Sequence, residues 1–174
     1  MALLSPIPTF ALWDSYTLAA YLFEGNANDD TDNGYNSTAN GSPFASTQAY
    51  QGTYSICAQG SSANNIEIVD SLVTTLASCS AFTIEFYIYV PGSDKTYNEC
   101  AILSRRQDTW SGGFVFNIFP PDGTHPYRPN YAPQYHTGWD YDIFWTYPSS
   151  GDYDRWTRIN IEWTGTAAKY YQDG

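Results

Sequence analysis

Basic residues are scarce in this chain: 7 Lys and Arg stand against 18 Asp and Glu, and the first of them is Lys95. The resulting formal charge of −11 repels a phosphate backbone and an anionic bilayer alike, so no nucleic acid is expected as a partner. Long apolar runs are missing too. None approaches the roughly 20 residues that cross a bilayer as a helix, so no membrane insertion is expected. The apolar start MALLSPIPTFALW has no positive n-region and is interrupted by Pro6 and Pro8, which argues against a signal peptide. Cysteine is limited to Cys57, Cys79 and Cys100. Their odd number and lack of CxxC spacing read as buried thiols, with one disulfide as the other arrangement. The two histidines, His125 and His136, adjoin no GxSxG motif, and no phosphate loop or zinc spacing occurs.

Aromatic residues are plentiful, at 18% of the chain with 16 Tyr and 6 Trp. That is more than a core of this size needs, and rings with polar handles suit wet contact surfaces. At 174 residues the chain fits one domain. Residues 1–17 differ in composition from the rest of the chain and read as an N-terminal arm or anchor; residues 18–174 form the domain.

The hydrophobic pattern has the period of strands, with short β-branched and aromatic runs set between Gly, Asn, Asp, Ser and Pro clusters. Strands are predicted at Leu18–Phe23, Ile66–Val69, Phe82–Val90, Ala101–Ser104, Phe114–Phe119, Thr157–Trp163 and Ala168–Tyr171. In FTIEFYIYV, Phe82, Ile84, Phe86, Ile88 and Val90 share one face, and Thr83, Glu85, Tyr87 and Tyr89 the other. RINIEW repeats the alternation, with Ile159, Ile161 and Trp163 opposite Arg158, Asn160 and Glu162. Both are half-buried antiparallel strands. A brief helical turn is predicted around Asp70–Ala77. The stretch Pro120–Arg155 is expected to be a long irregular loop, a kind that is usually functional.

The order of motifs from Leu18 onward resembles the bacterial and phage laminin-G-like, or concanavalin A-like, domain. It opens with LAAYLFEGNANDDTDNGYN and continues through YQGTYSICAQGSSANNIEI with its turn near Gly60. FTIEFYIYVP, AILSRR, GGFVFNI and RWTRINIEWTGTAAKYYQDG come next. The resemblance implies an all-β, antiparallel two-sheet jelly-roll sandwich. Members of that family continue beyond the closing Asp-Gly turn, so the C-terminal strands are expected to be missing at Gly174 and a neighbour or further chain to complete the sheet.

Two groups of residues carry candidate chemistry. The acidic loop brings Asn28, Asp29, Asp30 and Asp32 together as hard oxygen donors suited to Ca²⁺; the same residue types also make tight turns through side-chain to backbone hydrogen bonds. In the aromatic loop, Tyr127, Tyr131, Tyr135, Trp139, Tyr141 and Trp145 offer flat faces for sugar rings, and His136, Asp140 and Asp142 offer bonds to hydroxyls. Packing against a neighbouring subunit would use such residues equally well. A glycanase needs two carboxylates about 5 to 9.5 Å apart; the ExDxxE motif is absent, leaving Glu85 and Glu162 on outward faces. No enzyme activity is expected. Asn36-Ser37-Thr38 is formally a glycosylation sequon that matters only in a secretory pathway.

The expected function is therefore adhesion to a cell-surface or extracellular polysaccharide, on a virion or another extracellular surface, as in a phage fibre, tail appendage or decoration protein. One alternative is a purely structural virion decoration that contacts other virion proteins or copies of itself. Another is a fragment of a bacterial adhesin or of a polysaccharide-degrading enzyme.

Overall fold

The computed structural model describes residues 14–57, 65–92, 100–106, 113–119, 130–136, 149–150, 153–165 and 168–173; the arm at residues 1–17 falls mostly outside them. The described chain is all-β with one short helix. Its elements are β1 (Thr38–Asn40), β2 (Phe44–Ala45), β3 (Ser55–Ile56), β4 (Asn65–Glu67), α1 (Asp70–Ser78), β5 (Phe82–Tyr89), β6 (Cys100–Arg106), β7 (Gly113–Phe119), β8 (Asn130–His136), β9 (Ser149–Ser150), β10 (Trp156–Trp163) and β11 (Ala168–Gln172). Among the described residues every strand pairing is antiparallel, and no helix is long and apolar enough to cross a membrane. The chain divides into two compact units, Met1–Thr75 and Leu76–Gly174.

The first unit holds two small ribbons, β1 with β4 and β2 with β3. The strand predicted at Leu18–Phe23 is not a strand. Its backbone donors are taken by side chains: Ala20 N–H donates to Asp29 Oδ1 at 3.0 Å and Leu22 N–H to Asp30 Oδ2 at 2.9 Å. Carboxylates supplied by the next loop thus satisfy a segment with strand-like composition without a partner strand. Glu24 does the same for a second turn, its two carboxylate oxygens each accepting the Thr53 N–H at 2.9 Å. The carboxylate sits against Gly52, whose φ is +73°, so a Cβ there would collide with it. β4 is shorter than predicted because Val69 already serves the helix, its carbonyl accepting from Leu72 N–H and Val73 N–H. The predicted helical turn is a helix of 9 residues with Asp70 in its first turn, where a negative charge suits the helix dipole, and with Leu72 buried.

The second unit contains a three-stranded sheet of order β11-β10-β5 and a four-stranded sheet of order β6-β7-β8-β9. β10 pairs with β5 over eight residues, from Trp156 opposite Tyr89 to Trp163 opposite Phe82. The predicted alternation holds on both strands. Ile159 is fully buried, Ile88 and Val90 nearly so, and Phe86, Ile161, Tyr153 and Tyr170 pack around them. Gly165 turns β10 into β11 with φ +88°, and a Cβ there would lie 2.6 Å from the Ser80 carbonyl oxygen.

The stretch Pro120–Arg155 is not irregular throughout, because β8 runs through its middle. Pro133, which reads as a strand breaker, pairs with Phe116 of β7, while β9 reaches only Asn130 and Tyr131. Among the described residues Pro133 therefore has a strand on one side only, a position where its missing N–H is tolerated.

Thr157 is buried beside the Ile159 cluster with 0% exposure, and its hydroxyl has no hydrogen-bond partner among the described residues. A buried hydroxyl left unsatisfied costs about 1–3 kcal/mol. Thr157→Val is therefore expected to raise the urea midpoint at unchanged m-value, with a gain of about 1 kcal/mol, whereas Ile159→Ala should cost about 2–5 kcal/mol in the same titration.

Candidate functional site

Of the residues expected to ligate calcium, Asp29 is the centre of a turn network. Its Oδ1 accepts from the backbone of Ala20 and Thr31 at 3.0 and 2.9 Å, and its Oδ2 from Tyr35 N–H at 2.9 Å. The Thr31 hydroxyl donates to the same carboxylate at 2.8 Å, and the Asp29 N–H donates to Asn36 Oδ1 at 2.9 Å. Asp30 holds Leu22, and the Asn28 N–H donates to Asn26 Oδ1 at 2.9 Å. Asp32 is exposed in the same loop. Asp29 and Asp30 are thus occupied by turn chemistry, and a cation would compete with these donors for the same oxygens. Among the described residues no three His, Cys, Asp or Glu side chains are grouped to hold a metal ion.

Further hydroxyl bonds extend this network. Tyr21 Oη donates to the Tyr35 carbonyl at 2.6 Å, Ser37 Oγ donates to Tyr21 Oη at 3.1 Å, and Val69 N–H donates to Ser37 Oγ at 3.3 Å. Tyr35 Oη lies 3.1 Å from Thr75 Oγ1 on α1. Burial raises the Tyr21 phenol above its ordinary pKa, opposed by the Ser37 hydrogen bond and aided by the Asp29 charge.

Of the expected glycan ligands, Tyr131, Tyr135 and His136 lie on β8, with Tyr131 opposite Ile118, Tyr135 opposite Phe114 and His136 opposite Gly113. Tyr127, Trp139, Asp140, Tyr141, Asp142 and Trp145 lie outside the described residues, as does His125. Cys57 and Cys79 are half-buried thiols.

A third group assembles where three strands, read separately in the sequence, become one surface. The register of β5, β10 and β11 places Trp156 beside Tyr89, Arg158 beside Tyr87, Asn160 between Glu85 and Tyr171, and Glu162 between Thr83 and Lys169, all on the face opposite the core. Tyr89 and Trp156 form a tilted ring pair with centroids 5.6 Å apart. Tyr87 and Tyr171 are 36% and 40% exposed. Arg158 forms an ion pair with Glu85 at 2.5 Å, and Tyr171 Oη donates to Glu162 Oε2 at 3.2 Å. Glu85 and Glu162 are therefore diagonal neighbours on one face, each engaged by its own donor.

Around this face the strand ends are pinned. Arg158 N–H donates to Asp173 Oδ1 at 3.2 Å, the Asp173 N–H returns a bond to the Arg158 carbonyl at 2.9 Å, and Arg155 pairs with the Asp173 carboxylate at 2.6 Å. Asp154 accepts from Gly92 N–H at 2.8 Å and lies 3.5 Å from Tyr89 Oη. Desolvation, and then the Asp154 charge and hydrogen bond, raise the Tyr89 pKa above its ordinary value. At the Glu162 end the face runs into a shallow depression of about 290 Å³ lined by Ala81, Phe82, Thr83, Glu162, Trp163 and Thr164.

Burial alone would raise the Asp29 pKa, but the hydrogen bonds from Ala20, Thr31 and Tyr35 outweigh it and hold the carboxyl below its ordinary value. A lowered folded-state pKa gives stability that is complete above the unfolded value, near 3.9, and is lost as pH falls through the folded one. Thermal unfolding on acidification below about pH 4 should accordingly show a steeper loss of Tm for the native chain than for Asp29→Asn, and Asp29→Ala should cost about 2–3 kcal/mol at neutral pH. Comparison of the chain with family models, with curated proteins and with solved structures returned no match.

Proposed function

We propose that the protein is a non-catalytic, glycan-binding surface module, built as a jelly-roll sandwich and acting on a virion or other extracellular surface. The observation that carries the reading is the outward face of β5, β10 and β11. It combines Tyr87, Tyr89, Trp156 and Tyr171 with Glu85, Arg158, Asn160 and Glu162. Aromatic faces bind the C–H side of a pyranose, and flanking carboxylate, amide and guanidinium groups bond its hydroxyls. A sheet holds such groups in place before the ligand arrives, which lowers the ordering cost of binding.

The connectivity supports the jelly-roll part of the proposal. The chain leaves β5, builds the β6-β7-β8-β9 sheet, and returns to pair β10 with β5. Long antiparallel excursions of this kind occur in Greek-key and jelly-roll folds. The aromatic residues of the 120–155 stretch, with Tyr131 and Tyr135 carried on β8, are proposed as further contacts for the same ligand class.

A glycan array probed with the intact chain, with and without calcium, tests the reading. Retention on a subset of glycans is expected, and Trp156→Ala should lower it by about tenfold. A folded chain that binds no glycan under either condition would leave a structural decoration as the better account.

A further inference from the structure

We propose that the outward face of β5, β10 and β11 is an extended site for a linear, uncharged oligosaccharide spanning several sugars, and not a pocket for a single sugar. The inference rests on the glycan reading above and specifies its ligand. Three observations carry it.

The first is the linear arrangement of the groups. The Trp156–Tyr89 ring pair lies at one end, the Glu85–Arg158 pair with Asn160 and Tyr171 in the middle, and Glu162 at the other end, where the depression lined by Thr83, Glu162 and Thr164 continues the line. From Trp156 to Glu162 the strand advances by about 20 Å at the usual rise per residue. That span exceeds a single pyranose ring, and the depression at its end is shallow and open among the described residues.

The second is charge. The Arg158 guanidinium is held by Glu85 at 2.5 Å, and Glu162 stands in register with Lys169. Arg158 and Lys169 are thus each matched by a neighbouring carboxylate, and the chain as a whole carries −11. A uronate or sialic acid would have to take Arg158 from Glu85 and approach an acidic protein, at a cost that an uncharged sugar avoids.

The third is the mixture of hydrogen-bonding groups. Between the two ends, acceptors and donors alternate on β5, β10 and β11: Glu85, Arg158, Tyr171 and Glu162. Neighbouring hydroxyls of a sugar chain both donate and accept, so this mixture suits polyols better than the apolar side chains of a protein partner.

The test is calorimetric titration of the full chain with β-1,4-linked gluco-oligosaccharides of increasing length, with glucose as the single-sugar limit and oligogalacturonates as the charged series. Affinity is expected to rise by about tenfold or more from the disaccharide to the longer chains and then level off. Trp156→Ala and Glu162→Gln, at opposite ends, should each remove much of that rise, while Trp156→Phe, which keeps a ring, retains most of it. Two-dimensional NMR spectra confirm that each variant is folded.

Length-independent binding, or sensitivity to only one of the two ends, means a one-sugar site; the extended site then falls and the glycan reading stands. Tighter binding of the oligogalacturonates overturns the uncharged ligand. If neither series binds and the glycan array is also blank, the glycan reading itself fails and the extended site with it.

Discussion

The eight-residue register between β5 and β10 is the constraint on which the second unit depends. Because side chains alternate along a strand, one registration decides at once which residues are buried and which are presented. With Trp156 opposite Tyr89, Ile159 meets Phe86 in the core while Arg158 meets Tyr87 outside. A one-residue slip of β10 against β5 would drive Arg158 inward and expose Ile159. The full burial of Ile159 therefore fixes the outer face as firmly as the core. Thr157 shows the cost of that coupling: its position in the pleat keeps it inside, although its hydroxyl has no partner there among the described residues.

The first unit is held differently. Its ribbons are two or three residues long, and the buried apolar side chains among its described residues are small or few: Ala20, Ala27, Pro43 and Leu72. Side chains replace the missing ladder bonds: Asp29 gathers Ala20, Thr31 and Tyr35, Asp30 holds Leu22, and Glu24 holds Thr53. Of these carboxylates Asp29 is held below its ordinary pKa by its hydrogen bonds, so its ionisation contributes to the stability of this half.

How much of this could be read from the sequence depends on the range of the interactions involved. FTIEFYIYV and RINIEW are long enough for alternation to declare a strand and its two faces, so the buried and presented sets were both legible. Their pairing was not, because β6 to β9 lie between them in the chain and pattern within one strand carries no information about its partner. Leu18–Phe23 has strand composition, yet its donors are met by Asp29 and Asp30, a tertiary outcome that propensity does not encode. β8 was hidden by Pro133 for the opposite reason: the residue that breaks a central strand is tolerated where, among the described residues, only one flank is paired. The candidate surface on β5, β10 and β11 emerged only when three strands, each legible alone, were set side by side.

The contact between Glu24 and Gly52 limits which residue can stand at position 52. Any side chain at position 52 would both strain a backbone at φ +73° and evict the carboxylate that accepts Thr53. Shortening residue 24 would relieve the collision but remove the acceptor for Thr53. Position 52 is therefore held to glycine twice, by its backbone conformation whatever stands at position 24 and by the carboxylate that lies against it.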